Sequence, residues 1–458
     1  MSNSDTPQNP LRVAIVGSGP AGFYATEALL QAQPAAQVDM FERLAAPFGL
    51  VRSGVAPDHP KLKQPILVYQ EIATSPQFRF LGNVTVGRDI SMAELQDCYH
   101  VVVIACGAQT DRMMGIGGEY LPGSHTATEF VGWYNGHPDY RDRVFDLSHD
   151  TAVIVGQGNV AVDVCRILAK TADELRHTDI SAHALEALAR SQIRDIYMIG
   201  RRGPAQAKFT HPELRELGEL ADCDPLVDPG DLELNPASRA ELADRNNRAA
   251  IKSFEVLQAF AARPPSIRRR RCHIEFLKSP IELIGTGRLE RVLLMRNRLE
   301  GEASHQVARP TGIIENLACG ILFRSIGYRG VAIAGVPFDA ARGVIPNRNG
   351  RVTDDGNVVP GLYVTGWIKR GPTGIIGTNR EDSVLTVDSI LADLPRLDAG
   401  PKPGVDRVMT LLAARGVRVI SYADWQKIDA AEIRRGQLAA KPREKFTTLT
   451  EMLEVLES

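Results

Sequence analysis

The sequence predicts an α/β protein of two Rossmann-like units, parallel sheets with helices on both faces, and three observations predict it. Apolar runs without alternation recur as short blocks at Val13 to Val16 (within the strand from Leu11), Val101 to Ala105 and Ala152 to Val155, the pattern of strands buried on both faces. Two of these blocks run straight into glycine turns, Gly17-Ser18-Gly19-Pro20-Ala21-Gly22 and Gly156-Gln157-Gly158-Asn159-Val160-Ala161. Each turn is followed by a helical stretch and then a second strand, so the chain carries two βαβ units.

In the first unit the helix runs to about Ala32, and the second strand, from Val38, ends in Glu42. Gly17 permits a tight turn, Gly19 lets the backbone approach a pyrophosphate, and Gly22 lets the helix pack closely on the strand. The helix N-terminus adds unpaired N–H groups and a partial positive charge. Glu42 is placed to accept hydrogen bonds from a ribose. In a chain with 40 glycines the spacing alone recurs by chance; the strand before, the helix after and the acid beyond mark a dinucleotide site.

The second unit repeats this grammar with differences. Ala161 replaces the third glycine, which the fingerprint allows. The helix runs through about Lys170, a helical insertion covers 171 to 190, and the strand Ile196 to Ile199 ends in Gly200-Arg201-Arg202. The insertion explains why Arg201 follows Gly156 by 45 residues where about 20 is usual. Two arginines at this strand end suit a 2′-phosphate, so the site is expected to prefer NADP(H) to NAD(H). An acid at one site and arginines at the other predict two different dinucleotides, one of them FAD. Such cofactors carry the hydride chemistry themselves, leaving the protein to hold one ring against the other.

Past the second unit, a helical and basic stretch spans about 231 to 273, and a β-type segment turns at Gly285-Thr286-Gly287. Leu322 to Ile326, Gly361 to Gly366 and a glycine-rich loop from Gly371 to Gly377 resume α/β character. A helix over His211 to Leu220 puts Glu213 and Glu216 on one face. The tail from Val405 to Ser458 reads as helical, with Thr448 and Glu451 forming a capping box.

A length of 458 residues calls for at least two cores. Hydrophobic content of 44% and charged content of 24% describe a globular chain, and a net charge of −2 argues against a general nucleic-acid binder. The six cysteines are scattered without a C-x-x-C, so no metal site, iron–sulfur cluster or redox dithiol is expected. No apolar stretch reaches the ~18 residues of a membrane span, and no basic then apolar leader opens the sequence. A reduced, cytoplasmic setting is expected.

These blocks, together with Phe48 to Pro60 (FGLVRSGVAPDHP), Val162-Asp163, Gly203-Pro204 and Gly366 to Asn379 (GWIKRGPTGIIGTN), resemble the adrenodoxin-reductase-type ferredoxin–NADP⁺ reductases, particularly the actinobacterial FprA-like members. The resemblance implies an FAD domain from residues 1–108 and 325–458, with an NADP domain, 109–324, inserted into it. It implies FAD contacts at Gly17, Gly19, Ala21, Gly22, Glu42, Leu50, Val86, Trp367, Gly374, Ile375 and Ile376. It implies NADP contacts at Arg112, Gln157, Gly158, Asn159, Val160, Arg201, Arg202, Glu213 and Gly374, and a hydride-transfer site with His59, Asp163 and Glu216.

The implied activity is NADPH:ferredoxin oxidoreduction, with single electrons passed to a separate iron–sulfur protein. A flavin- and NADP-binding redox sensor and a flavin monooxygenase-like enzyme are the alternatives. An acidic ferredoxin needs a positive surface. Residues 239 to 273 hold nine Arg or Lys against three acids, and Arg245, Arg248, Arg268, Arg269, Arg270 and Arg271 are the candidate docking residues, with Lys61 and Lys63 possible additions.

Overall fold

The computed structural model describes residues 10–264, 266–397 and 400–457; residues 1–9, where a leader would stand, and Ser458 lie outside the described residues. In chain order the first strands are β1 (Arg12–Val16), β2 (Gln37–Phe41), β3 (Phe78–Leu81), β4 (Val101–Ile104), β5 (Thr110–Asp111), β6 (Ser124–Thr126), β7 (Thr151–Val155), β8 (Asp195–Ile199) and β9 (Cys223–Leu226). They continue with β10 (Arg270–Glu275), β11 (Lys278–Ile284), β12 (Arg291–Glu300), β13 (Val307–Ala318), β14 (Ile321–Arg324), β15 (Tyr328–Arg329), β16 (Asn347–Arg348), β17 (Arg351–Asp354) and β18 (Asn357–Val364).

One sheet has the order β16-β17-β18-β4-β1-β2-β3 and a second the order β6-β14-β7-β8-β10-β9. The strands of the second sheet all pair in parallel, as do β18, β4, β1, β2 and β3 in the first. The chain leaves the first sheet after β4 and re-enters it at β16, and the two crossings, β5 and β15, pair antiparallel with each other. An antiparallel sheet of β11, β12 and β13 flanks the second unit around the Gly-Thr-Gly turn.

Apolar runs become strands here because both faces of each sheet are covered. Val13, Ile15, Val101 and Val103 enter the core on one side of the first sheet, and Ala14, Val16, Val102 and Ile104 the core on the other. In the second sheet Ile154, Ile196 and Met198 face one core while Val153, Val155 and Ile199 face the other. Successive residues of a strand point to opposite faces, so one polar residue in these runs would lie in a core. Each fully buried aliphatic side chain contributes about 1.5–3 kcal/mol.

Several local expectations hold in the structure and two change. The first helix covers Pro20–Ala32 and the second Asn159–Ala169, and the insertion folds as the short helices Ala172–Leu175 and Ala182–Ala189. Glu451 N donates to Thr448 Oγ1 at 3.2 Å while Glu451 Oε2 accepts from Thr448 N at 3.0 Å, closing the expected box. The helix from His211 stops at Glu216 and tightens into a 3₁₀ turn over Leu217–Glu219, where a Cβ on Gly218 would press on Phe260. The basic stretch is helical only as far as Ala261, since Arg270 and Arg271 belong to β10.

That strand corrects the docking expectation at Arg270. Alternation turns its side chain inward, where it is buried and donates to the carbonyls of Ile193, Ala169 and Lys170 at 3.3, 3.1 and 3.4 Å. Arg270 therefore caps the C-terminal end of the helix Asn159–Ala169, a favourable place for a cation, and presents nothing to a partner.

The two units are tied by charge. Lys63, from the first, holds both Asp179 oxygens at 2.7 Å, and Lys445, from the C-terminal tail, reaches Asp179 at 3.1 Å. Lys441 donates to Ile180 O at 2.7 Å and Ala182 N to Glu444 at 3.1 Å. Arg43 grips Asp139 through two bonds. Deleting one partner of a buried pair strands the others without compensation. Asp179→Ala is therefore expected to lower the unfolding free energy by about 3–5 kcal/mol, as measured by denaturant titration beside the wild type.

Candidate active site

The two glycine turns sit at the C-terminal ends of matched parallel strands. Gly17 N donates to Phe41 O at 2.8 Å across β1 and β2, and Gly156 N donates to Ile199 O at 2.9 Å across β7 and β8. The register Val155↔Ile199 brings Arg201 and Arg202 beside the second turn despite the long insertion. Gly17 and Gly156 have φ of +111° and +136°, and a Cβ on either would press into a carbonyl, that of Ala105 or of Ser325. A Cβ on Gly22 would collide with Gly17 O, and the fully buried Ala161 takes the equivalent place in the second turn.

Gly19 and Gly158 are the opposite case. A Cβ on either would meet nothing within 4 Å. Each is the N-cap of its helix, and neither helix has a side-chain cap. Unpaired helix N–H groups facing open space form an anion cradle, and both cradles fit a pyrophosphate.

What surrounds the cradles differs. At the first, Glu42 Oε2 accepts from Ser18 N at 3.1 Å and Ser18 Oγ at 2.6 Å, and Oε1 accepts from Leu44 N at 3.0 Å. The loop Gly366 to Gly377 closes on the same side, since a Cβ on Gly366 would lie 2.7 Å from Ala21 Cβ. In that loop Gly374 has φ +83°, Ile375 is exposed and Ile376 packs on the core. Leu50 is exposed, and Val86 packs partly buried beneath. The Trp367 ring stacks on Tyr328 at 5.5 Å, and its Nε1 donates to Thr373 O at 3.2 Å.

At the second cradle Gln157 Nε2 donates to Glu275 O at 2.8 Å, Asn159 Oδ1 accepts from Thr210 N at 2.8 Å, and Val160 packs on the core. Arg201 is exposed, Arg202 is half-buried with Nη2 3.4 Å from Gln206 O, and Arg112 is exposed beside Gly327 in the crossing.

A cluster of charge lies between the units. His59 Nε2 is 2.7 Å from Glu216 Oε2 and 3.8 Å from Glu213 Oε2, and its Nδ1 is 4.0 Å from Asp163 Oδ1. At its centre is Arg166, with a side chain only 1% exposed. It donates to Asp58 through Nε at 2.8 Å and Nη2 at 3.0 Å, and Nη2 also reaches Asp163 at 2.9 Å. Lys170 completes the grip on Asp58 at 2.7 Å.

The environment separates the acids by proton affinity. Burial pushes Asp163 up to about 6 despite Arg166 beside it, and burial also raises Glu213. Burial works against the charge on Asp58 too, yet the bonds from Arg166 and Lys170 hold it well below the usual carboxylate range. For Glu216 the hydrogen bond with His59 and the charge of Arg166 outweigh burial and lower it; burial opposes the imidazolium of His59, but Glu216 and the other carboxylates raise it. Pairs of groups pushed apart in this way suit proton handling near neutral pH. His59, Glu213 and Glu216 could offer ligand atoms to a metal, but the Arg166 guanidinium, 3.3 and 3.5 Å from Glu216 and Glu213, already supplies the cation.

Residues 11–199 match the family described as pyridine nucleotide-disulphide oxidoreductase. The chain is 46% identical to the NADPH-ferredoxin reductase FprA of Mycobacterium leprae, across 98% of this chain and 99% of that one. It is 45% identical to the mitochondrial NADPH:adrenodoxin oxidoreductase of Bos taurus, across 99% and 93%. The solved structure of Mycobacterium tuberculosis FprA in complex with NADPH superposes with a TM-score of 0.92 at 43% identity, covering 98% of this chain and all of that one. The chain belongs to the NADPH-ferredoxin and adrenodoxin reductase family.

In this reductase fold, His59, Asp163 and Glu216 meet in one cluster, and Glu213, expected among the NADP contacts, stands with them. Sequence reasoning missed Asp58, Arg166, Lys170 and Tyr328. Asp163, Arg166 and Lys170 recur at i, i+3 and i+7, a helical face that the sequence could have signalled; Asp58 carries no local signal. Two cysteines also meet unexpectedly, Cys165 Sγ lying 2.8 Å from Cys272 Sγ. Both are fully buried, so neither is open to the attack that disulfide exchange requires, and the Cys272 thiol is held well above its ordinary value by Cys165 and by burial.

Gly19 and Gly158 separate folding from binding. Gly19→Ala has ordinary φ and free space, so it is expected to fold normally and lose flavin, while Gly158→Ala keeps flavin and weakens NADPH. Flavin absorbance and NADPH titration of the two purified variants check this. Gly22→Ala, with its collision, is expected to cost folding itself.

Proposed function

We propose that this chain is an FAD-dependent NADPH:ferredoxin oxidoreductase. FAD occupies the cradle at Gly17 to Gly22 in a domain of residues 1–108 and 325–458, and NADP(H) the cradle at Gly156 to Ala161 in the inserted domain 109–324. The observation that carries the reading is the contrast at the strand ends: Glu42 beside the first cradle, Arg201 and Arg202 beside the second. A carboxylate accepts from ribose hydroxyls and repels a 2′-phosphate, whereas two guanidinium groups bind it. The identity with NADPH-ferredoxin and NADPH:adrenodoxin reductases over nearly the whole chain supports it.

Flavin, when bound, supplies the coupling of two-electron nicotinamide chemistry to one-electron carriers. The chain's own residues bind, orient and shield. Gly19 and Gly158 admit the two pyrophosphates, and Gln157, Asn159 and Val160 line the second. Arg112, Arg201 and Arg202 hold the NADP phosphates. Trp367, stacked on Tyr328, and the loop Gly374 to Ile376 screen the ring region from water. His59 holds a proton against Glu216, and Asp163, poised to take up a proton near pH 6, is the companion acid.

An iron–sulfur protein is the electron acceptor. Among the docking candidates Arg245 and Arg248 are exposed, at the start of the helix Arg248–Ala261. Arg268 is bound to Cys223 O and Asp224, Arg269 to Ser191 O, and Arg271 to Asp195, so Arg245 and Arg248 carry the steering of an acidic partner. Six unpaired cysteines suit a reducing cytoplasm, and among the described residues no helix is long and apolar enough to cross a membrane.

NADPH-driven reduction of a purified [2Fe–2S] ferredoxin tests the reading directly; no electron delivery to any acidic ferredoxin would overturn it. Replacing Arg201 and Arg202 together by alanine is expected to raise the NADPH KM by about 10–100-fold, from the loss of charge-assisted bonds worth about 1.5–3 kcal/mol, with flavin content unchanged. An unaltered NADPH to NADH preference would contradict the assignment. Arg245→Glu with Arg248→Glu is expected to slow ferredoxin-dependent turnover and flatten its salt dependence, while dye reduction by NADPH stays at the wild-type rate.

A further inference from the structure

The Arg166 guanidinium has a second neighbour besides its carboxylates. Nη2, which donates to Asp58 and Asp163, also lies 3.4 Å from His59 Nδ1. A guanidinium can only donate hydrogen bonds. Both Nη2 hydrogens are engaged by Asp58 and Asp163, so the contact with Nδ1 is a shared, long one. A positive guanidinium this close favours a lone pair on Nδ1 over an N–H, which puts the single proton of the neutral ring on Nε2. That proton points at Glu216 Oε2, 2.7 Å away.

We propose that Arg166 is a positioning residue that selects the Nε2–H tautomer of His59 and aims its proton at Glu216. The inference rests on the reading of this cluster as the reductase's reaction site. The same guanidinium clamps Asp58, the residue before His59, so one side chain fixes both the backbone position and the ring orientation. Lys170 reinforces the clamp on Asp58 from the end of the same helix.

The groups facing the ring divide by sign. Asp58 from its own loop, Asp163 from the helix Asn159–Ala169, and Glu213 and Glu216 from the helix His211–Glu216 all favour the imidazolium. Arg166 opposes it, with Lys170 beyond Asp58, and Tyr134, buried and held neutral, feels the charge of Asp163 and Asp58. Without the guanidinium, four carboxylates would face one lysine, and Nδ1 would take up a proton toward Asp163. A second proton on His59 would replace a single directed donor with a doubly charged-partnered ring at neutral pH.

The test uses flavin-loaded protein labelled with ¹⁵N-histidine and long-range ¹H–¹⁵N spectra across the titration range, His59 being assigned with His59→Gln. In the wild type the neutral His59 should show a protonated Nε2 and an unprotonated Nδ1. In Arg166→Gln its titration midpoint should rise by about one unit or more, and in Arg166→Lys, which keeps charge without the fork, by less. Single-turnover reduction by NADPH should slow on the order of 10²-fold in Arg166→Gln, with partial rescue in Arg166→Lys. An Nδ1–H tautomer in the wild type overturns the proposal even if Arg166→Gln fails to fold, as does an unchanged midpoint in a folded variant. Failure of the functional reading would show instead as absent reduction by NADPH with the Nε2–H tautomer intact.

Discussion

A phosphate can touch a backbone only where no side chain stands in between, and this constraint organises the molecule. Gly19 and Gly158 meet it, each at the start of an uncapped helix and each with empty space where a Cβ would point. The other glycines of the two turns serve that opening. Gly17 and Gly156 turn the chain sharply off its strand through positive φ, and Gly22 and Ala161 let the helix lie close enough to aim its N–H groups outward. The parallel register then delivers a charged side chain beside each opening, an acid at the end of β2 and arginines at the end of β8. In the proposed function cofactor choice is a property of these strand ends, and the sheets are the frame that brings the ends together.

The second organising element is a buried cation. Arg166 lies between the units and engages Asp58 from one and Asp163 from the other, with Glu213 and Glu216 close by. A charge this deep is costly unless its partners are arranged around it, and in the proposed function the partners are the groups that handle protons. On that reading, stability and reactivity share the same side chains. The clamp of Lys63 and Lys445 on Asp179 holds the units at a second point and Arg43 with Asp139 at a third, so the relation between the cradles is set by these separated polar contacts and the paired crossing of β5 and β15.

Local features were legible in the sequence and long-range ones were not. Apolar runs, glycine turns and the Thr448 cap follow from periodicity and spacing within a few residues, and they appear in the structure at those positions. Arg270 was misplaced because four consecutive arginines look like surface; only the alternation of β10 reveals that one of them points inward to cap a helix. Glu213 and Glu216 are visible as neighbours on a helical face, but nothing in their own segment says that the face looks onto His59. The bond between Asp58 and Arg166 spans 108 residues and two units, and no local pattern encodes it.

The central claim is that one cradle holds a flavin and the other delivers a nicotinamide bearing a 2′-phosphate to it. Anaerobic stopped-flow mixing of the purified yellow protein with NADPH or NADH tests it most directly. Rapid bleaching of the flavin band by NADPH, with much slower bleaching by NADH, is the predicted result. Equal rates with the two nucleotides, or a folded protein that neither carries nor takes up flavin, would contradict it.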